Sequence, residues 1–410
     1  MKQQRPLLIS GGRLVTPGGL IEGSLRLVDG LVDAVGDVTG EDGDDVVDAK
    51  GALVAPGLID FGVFAIDKPA FHFGGITRAA LMPDQSPPLD LPSRVSYLAK
   101  SGKPDFWIHP LAAATRALEG KEIAEVALMR EAGARGISTG RGWIADSGVM
   151  LRLLQYAAML DLTVVAHAED AALVGDAVAT AGEVATRRGL PSAPAQAEAI
   201  AIARDIALAD MAGACIHFRQ VTTRAGLELV RAAKARGSTV TCGVTPAHFM
   251  LSDLATLDFR TFARLSPPLR SDSDRHAVRE AIADGTIDLV SSGHDPRGPE
   301  DKRLPFTDAE PGMAGAETLL AMVLSLVRDE VIDMPRAFEL VSGTPARLLG
   351  VDAGALVVGH EADIAIVDPE RPWIIQSARM EATAGNTPFD GQPTQGRVVR
   401  LFKGGVAIAR

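Results

Sequence analysis

The middle of the chain alternates short apolar runs of strand length with longer segments of helical periodicity. Eight of the apolar runs are predicted strands, at residues 55–64, 77–82, 105–109, 133–138, 162–167, 214–221, 238–244 and 286–292. Helical patterns lie between or after them, for example at 147–160, 195–211, 225–235, 272–283, 314–328 and 335–349. Strands that alternate with helices form a parallel sheet covered by helices. Eight such repeats predict a (β/α)8 barrel, whose functional residues lie at the carboxyl ends of the strands.

Both ends of the chain are predicted to be β structure. Apolar runs separated by glycine-containing turns predict strands at residues 7–10, 13–15, 24–28 and 31–35. Residues 362–367 and 397–402 predict two more strands near the C-terminus. We therefore expect residues 1–54 and 351–410 to form one composite β-sandwich domain. The barrel would then occupy residues 55–350, between these two segments.

The composition limits what the protein can bind. The net charge of −11 comes with no run of basic residues, so we expect no nucleic-acid partner. No apolar stretch reaches the length of a membrane span, and the polar residues 1–6 contain no signal-peptide core. A cytoplasmic protein without a membrane partner is therefore expected. Cys215 and Cys242 lie in apolar runs without metal-binding spacing, which predicts buried free thiols.

Several short motifs follow one another in a specific order. They are Ala-Pro-Gly-Leu-Ile-Asp at 55–60, Met-Pro-Asp at 82–84, His-Ala-Glu-Asp at 167–170, Thr-Pro-Ala-His at 245–248, Pro-Pro-Leu-Arg at 267–270, Asp-Gly-Thr-Ile-Asp at 284–288, Gly-Met-Ala-Gly-Ala-Glu-Thr at 312–318 and Asn-Thr-Pro-Phe-Asp-Gly at 386–391. In this combination the chain resembles the dihydroorotases of the amidohydrolase superfamily, nearly end to end. The resemblance implies a binuclear zinc enzyme that closes carbamoyl-aspartate to dihydroorotate or reopens the ring. A metal-bridging hydroxide attacks the amide, and an aspartate after the eighth strand transfers the proton.

The resemblance places metal ligands at the ends of several barrel strands, and most of these positions are changed here. The paired histidines of the first strand correspond to Gly62 and Phe64, neither of which can bind a metal ion. The arginine that holds the substrate carboxylate corresponds to Ile66. The bridging ligand of the fourth strand, a lysine or an aspartate, falls around Thr139 and Gly140.

Later in the chain, one ligand is retained. His167 matches a metal ligand of the family, whereas the next histidine corresponds to Gln220. The catalytic aspartate corresponds to Gly293, and two substrate-contacting asparagines correspond to Asp84 and Ser266. Catalytic zinc sites use about three protein ligands, so His167 alone would not hold the ion. We therefore expect neither a metal nor another cofactor.

The remaining polar residues near the predicted strand ends allow two interpretations. A rearranged metal site would draw on His167, His217, His248 and His294 with Asp295 or Asp67. We favour the other interpretation, in which these side chains are hydrogen-bonded within a filled barrel mouth. Phe64, Phe71 and Phe73 would either plug the vacated site or pack locally. The predicted vestigial pocket consists of Gly62, Phe64, Ile66, Asp84, His167, Gln220, His248, Ser266, His294 and Asp295.

Two functions follow from these interpretations. The favoured one is a non-catalytic dihydroorotase-like protein that acts in assembly or regulation in pyrimidine biosynthesis. It resembles the inactive dihydroorotase-like chains that associate with aspartate transcarbamoylase, so we expect that enzyme or further copies of the chain as partners. The alternative is an active cyclic amidohydrolase with a rearranged or mononuclear zinc site around His167, His294 and Asp295. Fold alone cannot decide between them, because function belongs to the site.

Overall fold

The computed structural model of the protein describes residues 5–409, so most of the predicted polar start (1–6) and the last residue of the C-terminal β segment lie outside it. The strands are β1 Leu7–Thr16, β2 Gly19–Val28, β3 Leu31–Gly36, β4 Asp45–Asp48, β5 Leu53–Pro56, β6 Leu58–Val63, β7 Ile76–Leu81, β8 Trp107–Pro110, β9 Ala112–Ala113, β10 Ile137–Ser138, β11 Val164–Ala166, β12 Ala179–Thr180, β13 Ser192–Ala193, β14 Ile216–Phe218, β15 Val240–Val244, β16 Leu289–Val290, β17 Ile364–Ile374, β18 Pro393–Lys403 and β19 Val406–Ala407.

Helices cover the barrel strands and connect them. They are α1 Lys68–Gly74, α2 Pro92–Lys100, α3 Val126–Glu131, α4 Ser147–Met159, α5 Ala171–Val174, α6 Glu183–Arg188, α7 Gln196–Ala212, α8 Arg224–Ala235, α9 Pro246–Met250, α10 Asp272–Ala283, α11 Pro299–Lys302, α12 Leu319–Arg328, α13 Met334–Phe338 and α14 Thr344–Leu349. Short 3-10 turns occur at Arg116–Leu118, Asp253–Thr256, Thr261–Ala263 and Ser377–Arg379, and one π turn occurs at Glu339–Gly343. In the described part of the chain, no helix is both long and apolar enough to cross a membrane.

The two ends of the chain share one sheet. Its order is β19-β18-β17-β5-β1-β2-β3, and β4 also pairs with β1. Strand β5 is the junction, because it pairs parallel with β1 and antiparallel with β17. Val32 of β3 and Phe402 of β18, from distant parts of the sheet, belong to the same buried cluster. The sheet therefore curls around one core, and the predicted β domain built from both termini is confirmed.

The middle of the chain forms the predicted barrel. In residues 5–409 its eight strands follow in chain order as β6, β7, β8 with its continuation β9, β10, β11, β14, β15 and β16, and the pairings between them are parallel. The last strand meets the first where the amide of Ser292 donates to Asp60 Oδ1 at 2.8 Å. The amide of Phe64 donates to the His294 carbonyl at 3.0 Å beyond it. The carboxyl ends of these strands form the barrel mouth.

The barrel interior is a packed core. Its apolar side chains come from several strands, namely Ile59, Phe61, Ala80, Met82, Leu111, Val165 and Leu289. At the amino ends of the strands, Ala346 and Leu349 of α14 and the following Ala353 join the same cluster and close the barrel. Ser271 is the N-cap of α10, and its side chain accepts from the amide of Asp274. Cys242 is buried as expected, but Cys215 is only half-buried because it precedes β14.

Candidate functional site

The first barrel strand ends in a bulge at Gly62. The register against β7 shifts between Phe61 and Val63, and Gly62 has a φ of +87°. A Cβ atom built on Gly62 would lie 3.3 Å from Cγ and Cδ of Arg219. A side chain here would therefore be strained by the backbone and would press on the Arg219 stem. The position that corresponds to the first metal-binding histidine has no room for an imidazole.

Phe64 fills the position of the second histidine. It is only 8 % exposed, and its ring lies 3.6 Å from the guanidinium carbon of Arg141 and 5.0 Å from that of Arg219. Guanidinium groups at these distances are attracted by the ring quadrupole. The structure therefore supports the interpretation in which Phe64 fills the vacated site, rather than the one in which it packs locally.

The other two phenylalanines of the loop after β6 pack elsewhere. Phe71 stacks on Phe106 with ring centroids 5.0 Å apart and is fully buried. Phe73 lies against Trp373, 6.1 Å between ring centroids. Neither lines the cavity at the mouth, so both pack locally.

Asp84 occupies the space at the end of the fourth barrel strand. Its Oδ1 accepts a hydrogen bond from the amide of Arg141 at 2.8 Å. Gly140 has a φ of +73°, and a Cβ atom on it would lie 2.7 Å from the same carboxylate oxygen. At Gly140, a bridging ligand would thus have neither a suitable backbone nor free volume. The carboxylate of Asp84, which follows the second barrel strand, occupies this space instead.

After the eighth strand, too, neighbouring atoms leave little space for a side chain at the position that corresponds to a catalytic residue. Gly293 has a φ of +62°, and a Cβ atom on it would lie 2.8 Å from Thr245 Cγ2 and 3.0 Å from Met313 Cε. Two residues on, Asp295 Oδ2 accepts from Arg141 at 2.8 Å and from Arg297 at 3.1 Å. The predicted proton-transfer position cannot hold a carboxylate, and the neighbouring aspartate is bound by two arginines.

His167, the retained family ligand, is part of a buried charge network. Its Nε2 lies 3.5 Å from Glu169 Oε2, and the other oxygen of Glu169 accepts from Arg270 at 2.7 Å. Burial raises the pKa of Glu169, but the hydrogen bond from His167 and the charge of Arg270 outweigh it and hold the pKa at about 2. Arg270 Nη2 also lies 3.4 Å from Glu198 Oε2. Sequence analysis missed this network, although three of its members, His167, Glu169 and Arg270, fall in family-like motifs.

The other histidines of the barrel mouth and interior, His217, His248 and His294, are buried, and each takes part in at least one hydrogen bond. His248 Nδ1 is hydrogen-bonded to Thr245 Oγ1 at 2.8 Å, and its Nε2 to the carbonyl of Pro267 at 3.2 Å. His294 Nδ1 accepts from an amide at 3.4 Å, and burial lowers its pKa to about 4. His217 lies deeper in the barrel, where burial lowers its pKa to about 3. These imidazoles are neutral near pH 7 and act as packing and hydrogen-bonding groups.

The side chains at the mouth do not fit a metal centre. Within residues 5–409, no three histidine, cysteine, aspartate or glutamate side chains converge closely enough to share one ion. A site for the two zinc ions of the resemblance, or for one rearranged zinc with His167, His294 and Asp295, is thus not formed by these residues.

The mouth cavity is small. Its volume is about 20 Å³, and a single water molecule needs roughly 10–15 Å³. Among the predicted pocket residues, those that line it are Phe64, Gln220, His248, Ser266 and Asp295, together with Gly293. Those that do not are Gly62, Ile66, Asp84, His167 and His294. Ile66 instead packs half-buried against the main core.

Arg219 is the one group at this cavity whose charge is poorly compensated. It is 4 % exposed, and its Nε has no hydrogen-bond partner. Among the described residues, no carboxylate oxygen lies close enough to its guanidinium nitrogens to form an ion pair. Burial lowers its pKa to about 10, and the charge of Arg141 acts in the same direction. Arg219 therefore remains a buried cation, stabilised by the ring of Phe64 and by the more distant charges of Asp84, Asp295 and Glu169.

This arginine gives a first testable prediction. We expect Arg219→Met to raise the free energy of unfolding by about 1 kcal/mol, because an apolar side chain of similar length removes a buried charge without an ion-pair partner. Urea unfolding followed by circular dichroism measures the change. Arg231→Met, which removes an exposed ion pair with Asp284 at 2.7 Å, is the control and should change stability little. A loss of stability in Arg219→Met would contradict this account of the mouth.

Comparison with known proteins shows which proteins this chain resembles in sequence and in fold. Residues 92–408 match the amidohydrolase family. The chain is 37% identical over 411 residues to a dihydroorotase of Citrifermentans bemidjiense, covering 96% of this chain and 97% of the relative. It is 39% identical over 419 residues to a dihydroorotase of Pelotomaculum thermopropionicum, with 98% of both chains covered. An L-hydantoinase structure from Arthrobacter aurescens superimposes with a TM-score of 0.89 at 24% identity over 99% of this chain and 96% of that one, which shows the shared fold.

Proposed function

The chain belongs to the amidohydrolase family, and from this we propose a dihydroorotase-like protein of pyrimidine biosynthesis that has no catalytic activity of its own. We further propose that it acts as a structural partner of aspartate transcarbamoylase. Full-length similarity to dihydroorotases supports the pathway. One observation carries the proposed absence of catalysis: Phe64 stands at the position of a metal-binding histidine, and the guanidinium carbons of Arg141 and Arg219 lie 3.6 and 5.0 Å from its ring centroid.

The chemistry of the reaction supports this proposal. Hydrolysis of a cyclic amide near neutral pH needs a water molecule whose pKa is lowered by a bound metal ion. It also needs a group that carries the proton between water and the amide nitrogen. His248 makes hydrogen bonds through both ring nitrogens, and the position of the proton carrier is Gly293. Neither His248 nor residue 293 is therefore available for these functions at the mouth.

Electrostatics at the mouth also disfavours a metal ion. Arg141 and Arg297 share the single carboxylate of Asp295, and Arg219 adds a third positive charge without an ion pair. A divalent cation placed among these groups would be repelled in a medium of low dielectric constant. The buried guanidinium of Arg219 already serves as the cation of this site.

The structural role rests on the resemblance to inactive dihydroorotase-like chains that associate with aspartate transcarbamoylase. A barrel whose interior is filled by apolar side chains suits a protein whose function lies in its surface. Such a surface could join copies of the chain to one another, join the chain to the transcarbamoylase, or do both.

Metal content and turnover test the absence of catalysis. We expect the purified protein to carry far less than one zinc ion per chain by elemental analysis, and to show no dihydroorotate hydrolysis with added Zn²⁺. The dihydroorotase of Pelotomaculum thermopropionicum, assayed in parallel, is the positive control. Stoichiometric zinc together with turnover that disappears in His167→Ala would overturn the proposal and establish the cyclic amidohydrolase instead.

Co-purification tests the partner. The chain is co-expressed with the aspartate transcarbamoylase of the same organism, and the mixture is separated by size exclusion with light scattering. Co-elution at a defined stoichiometry is the expected result. Separate elution of the two proteins would refute the proposed partner and leave the absence of catalysis to be judged by the metal and turnover assay.

A further inference from the structure

A second pocket lies at the opposite end of the barrel from the mouth. It has a volume of about 310 Å³, which is at the lower end of the range of small-molecule sites, roughly 300–1,000 Å³. Arg78 of β7 and Trp107 of β8 are register partners at the amino ends of their strands and line it. The turns after α2 and α3 contribute Lys103 and Arg135. We call this cavity the lower pocket.

Arg78 offers the lower pocket a buried donor. The residue is 0 % exposed, its Nε donates to Asp363 Oδ2 at 2.7 Å, and its Nη2 donates to Glu361. Its Nη1 has no hydrogen-bond partner. Buried N–H groups are nearly always paired, and an unpaired one costs free energy. A ligand that accepts from Nη1 would recover this cost.

His109 offers a second buried group from the next strand. It is 6 % exposed and lines the same pocket, and its Nε2 has no partner. Burial lowers its pKa to about 3, and the nearby positive charges of Arg78 and Arg135 act in the same direction, so the imidazole is neutral. A neutral imidazole can donate one hydrogen bond from Nε2 to an anion without adding charge.

The charges around the lower pocket favour an anion. Arg78, Lys103 and Arg135 line it, against the carboxylates Asp352 and Glu361. The charged groups that act on His109 are cations, with Lys403 and Lys103 joining the two arginines. The local potential at the unpaired Nε2 of His109 is therefore positive.

We propose that the lower pocket binds a phosphate group, either free or as the ester of a small metabolite. The phosphate would accept from Arg78 Nη1 and His109 Nε2, and Lys103 and Arg135 would supply the compensating charge. Arginine and phosphate match in geometry and charge, because the guanidinium donates in a fixed plane to several oxygens. Since Glu361 and Asp363 belong to the segment that leads into β17, the ligand would also brace the barrel against the terminal sheet.

Calorimetry with three probes tests the proposal. Inorganic phosphate, uridine 5′-monophosphate and uridine are titrated into the intact protein at constant ionic strength. We expect saturable binding of at least one phosphate-bearing probe and none of uridine. Binding of inorganic phosphate alone would identify the free ion, and tighter binding of the nucleotide would identify an ester. Absence of saturable binding by both phosphate-bearing probes at millimolar concentrations would overturn the proposal.

Variants place the binding in the lower pocket. The double variant Lys103→Gln with Arg135→Gln removes two exposed cations and should leave folding intact. We expect its affinity for the binding probe to fall about tenfold or more, since each charge-assisted contact is worth at least that factor. Arg130→Gln, an exposed arginine of α3 that does not line the pocket, is the control. Equal affinity in the double variant and the control would refute the site. The proposal does not depend on the catalytic state of the mouth.

Discussion

The variant Gly293→Asp, which restores a carboxylate at the position of the family's proton carrier, is expected to lower the free energy of unfolding by about 3 kcal/mol or more and to gain no turnover. The new Cβ would lie 2.8 Å from Thr245 Cγ2 and 3.0 Å from Met313 Cε, closer than atoms in a packed core approach each other. The φ of +62° adds backbone strain.

A matched glycine separates the packing cost from the backbone cost. Gly285 has a φ of +81° and lies at the surface, and a Cβ atom on it would meet no other atom within 4 Å. Gly285→Asp should therefore lower the free energy of unfolding only by the cost of backbone strain, about 1 kcal/mol. Urea unfolding of both variants gives the comparison. Equal stability losses at positions 293 and 285 would mean that the mouth can accommodate a carboxylate, which contradicts the filled site.

The second large effect is expected at Arg270. Replacing it in Arg270→Met should cost about 3–5 kcal/mol of stability, because the carboxylates of Glu169 and Glu198 would lose the cation between them. Both carboxylates are buried, and Arg270 Nη2 lies 2.7 Å from one and 3.4 Å from the other. The Nε of Arg270 also donates to Thr222 Oγ1 at 2.9 Å. Urea unfolding measures the loss.

A double variant checks that the loss comes from uncompensated charge. Adding Glu169→Gln to Arg270→Met neutralises one of the stranded carboxylates and should recover part of the lost stability. Because the two side chains are in contact, their effects should not add. Glu169→Gln could instead lower the free energy of unfolding as much in the Arg270→Met background as it does alone. In that case the charge explanation is wrong and packing accounts for the effect.

The barrel could be predicted because its pattern is local. Apolar periodicity placed helices α4, α7, α8 and α10 within two residues of their observed bounds. Most barrel strands proved shorter than predicted, whereas β17 and β18 of the terminal sheet proved longer. The helix predicted over 335–349 is interrupted by a π turn before Pro345, whose ring nitrogen cannot donate to the helical ladder.

The site could be predicted only as a set of replaced positions. The sequence indicated that Gly62, Gly140 and Gly293 cannot bind metals, but not what fills the space above them. At the first two of these glycines that space is taken by Arg219 and Asp84, which come from distant parts of the chain. Such contacts depend on the tertiary fold and leave no periodic signal. The Arg270 network and the lower pocket were missed for the same reason.

The position of β5 between β1 and β17 has a consequence for biosynthesis. An N-terminal β segment emerges from the ribosome early, but its β5 edge finds its antiparallel neighbour only after residues 364–374 have been made. During synthesis of the whole barrel, that edge keeps open backbone groups, which are a template for wrong pairing. Synthesis of β17, rather than closure of the barrel, is thus the step that covers this edge.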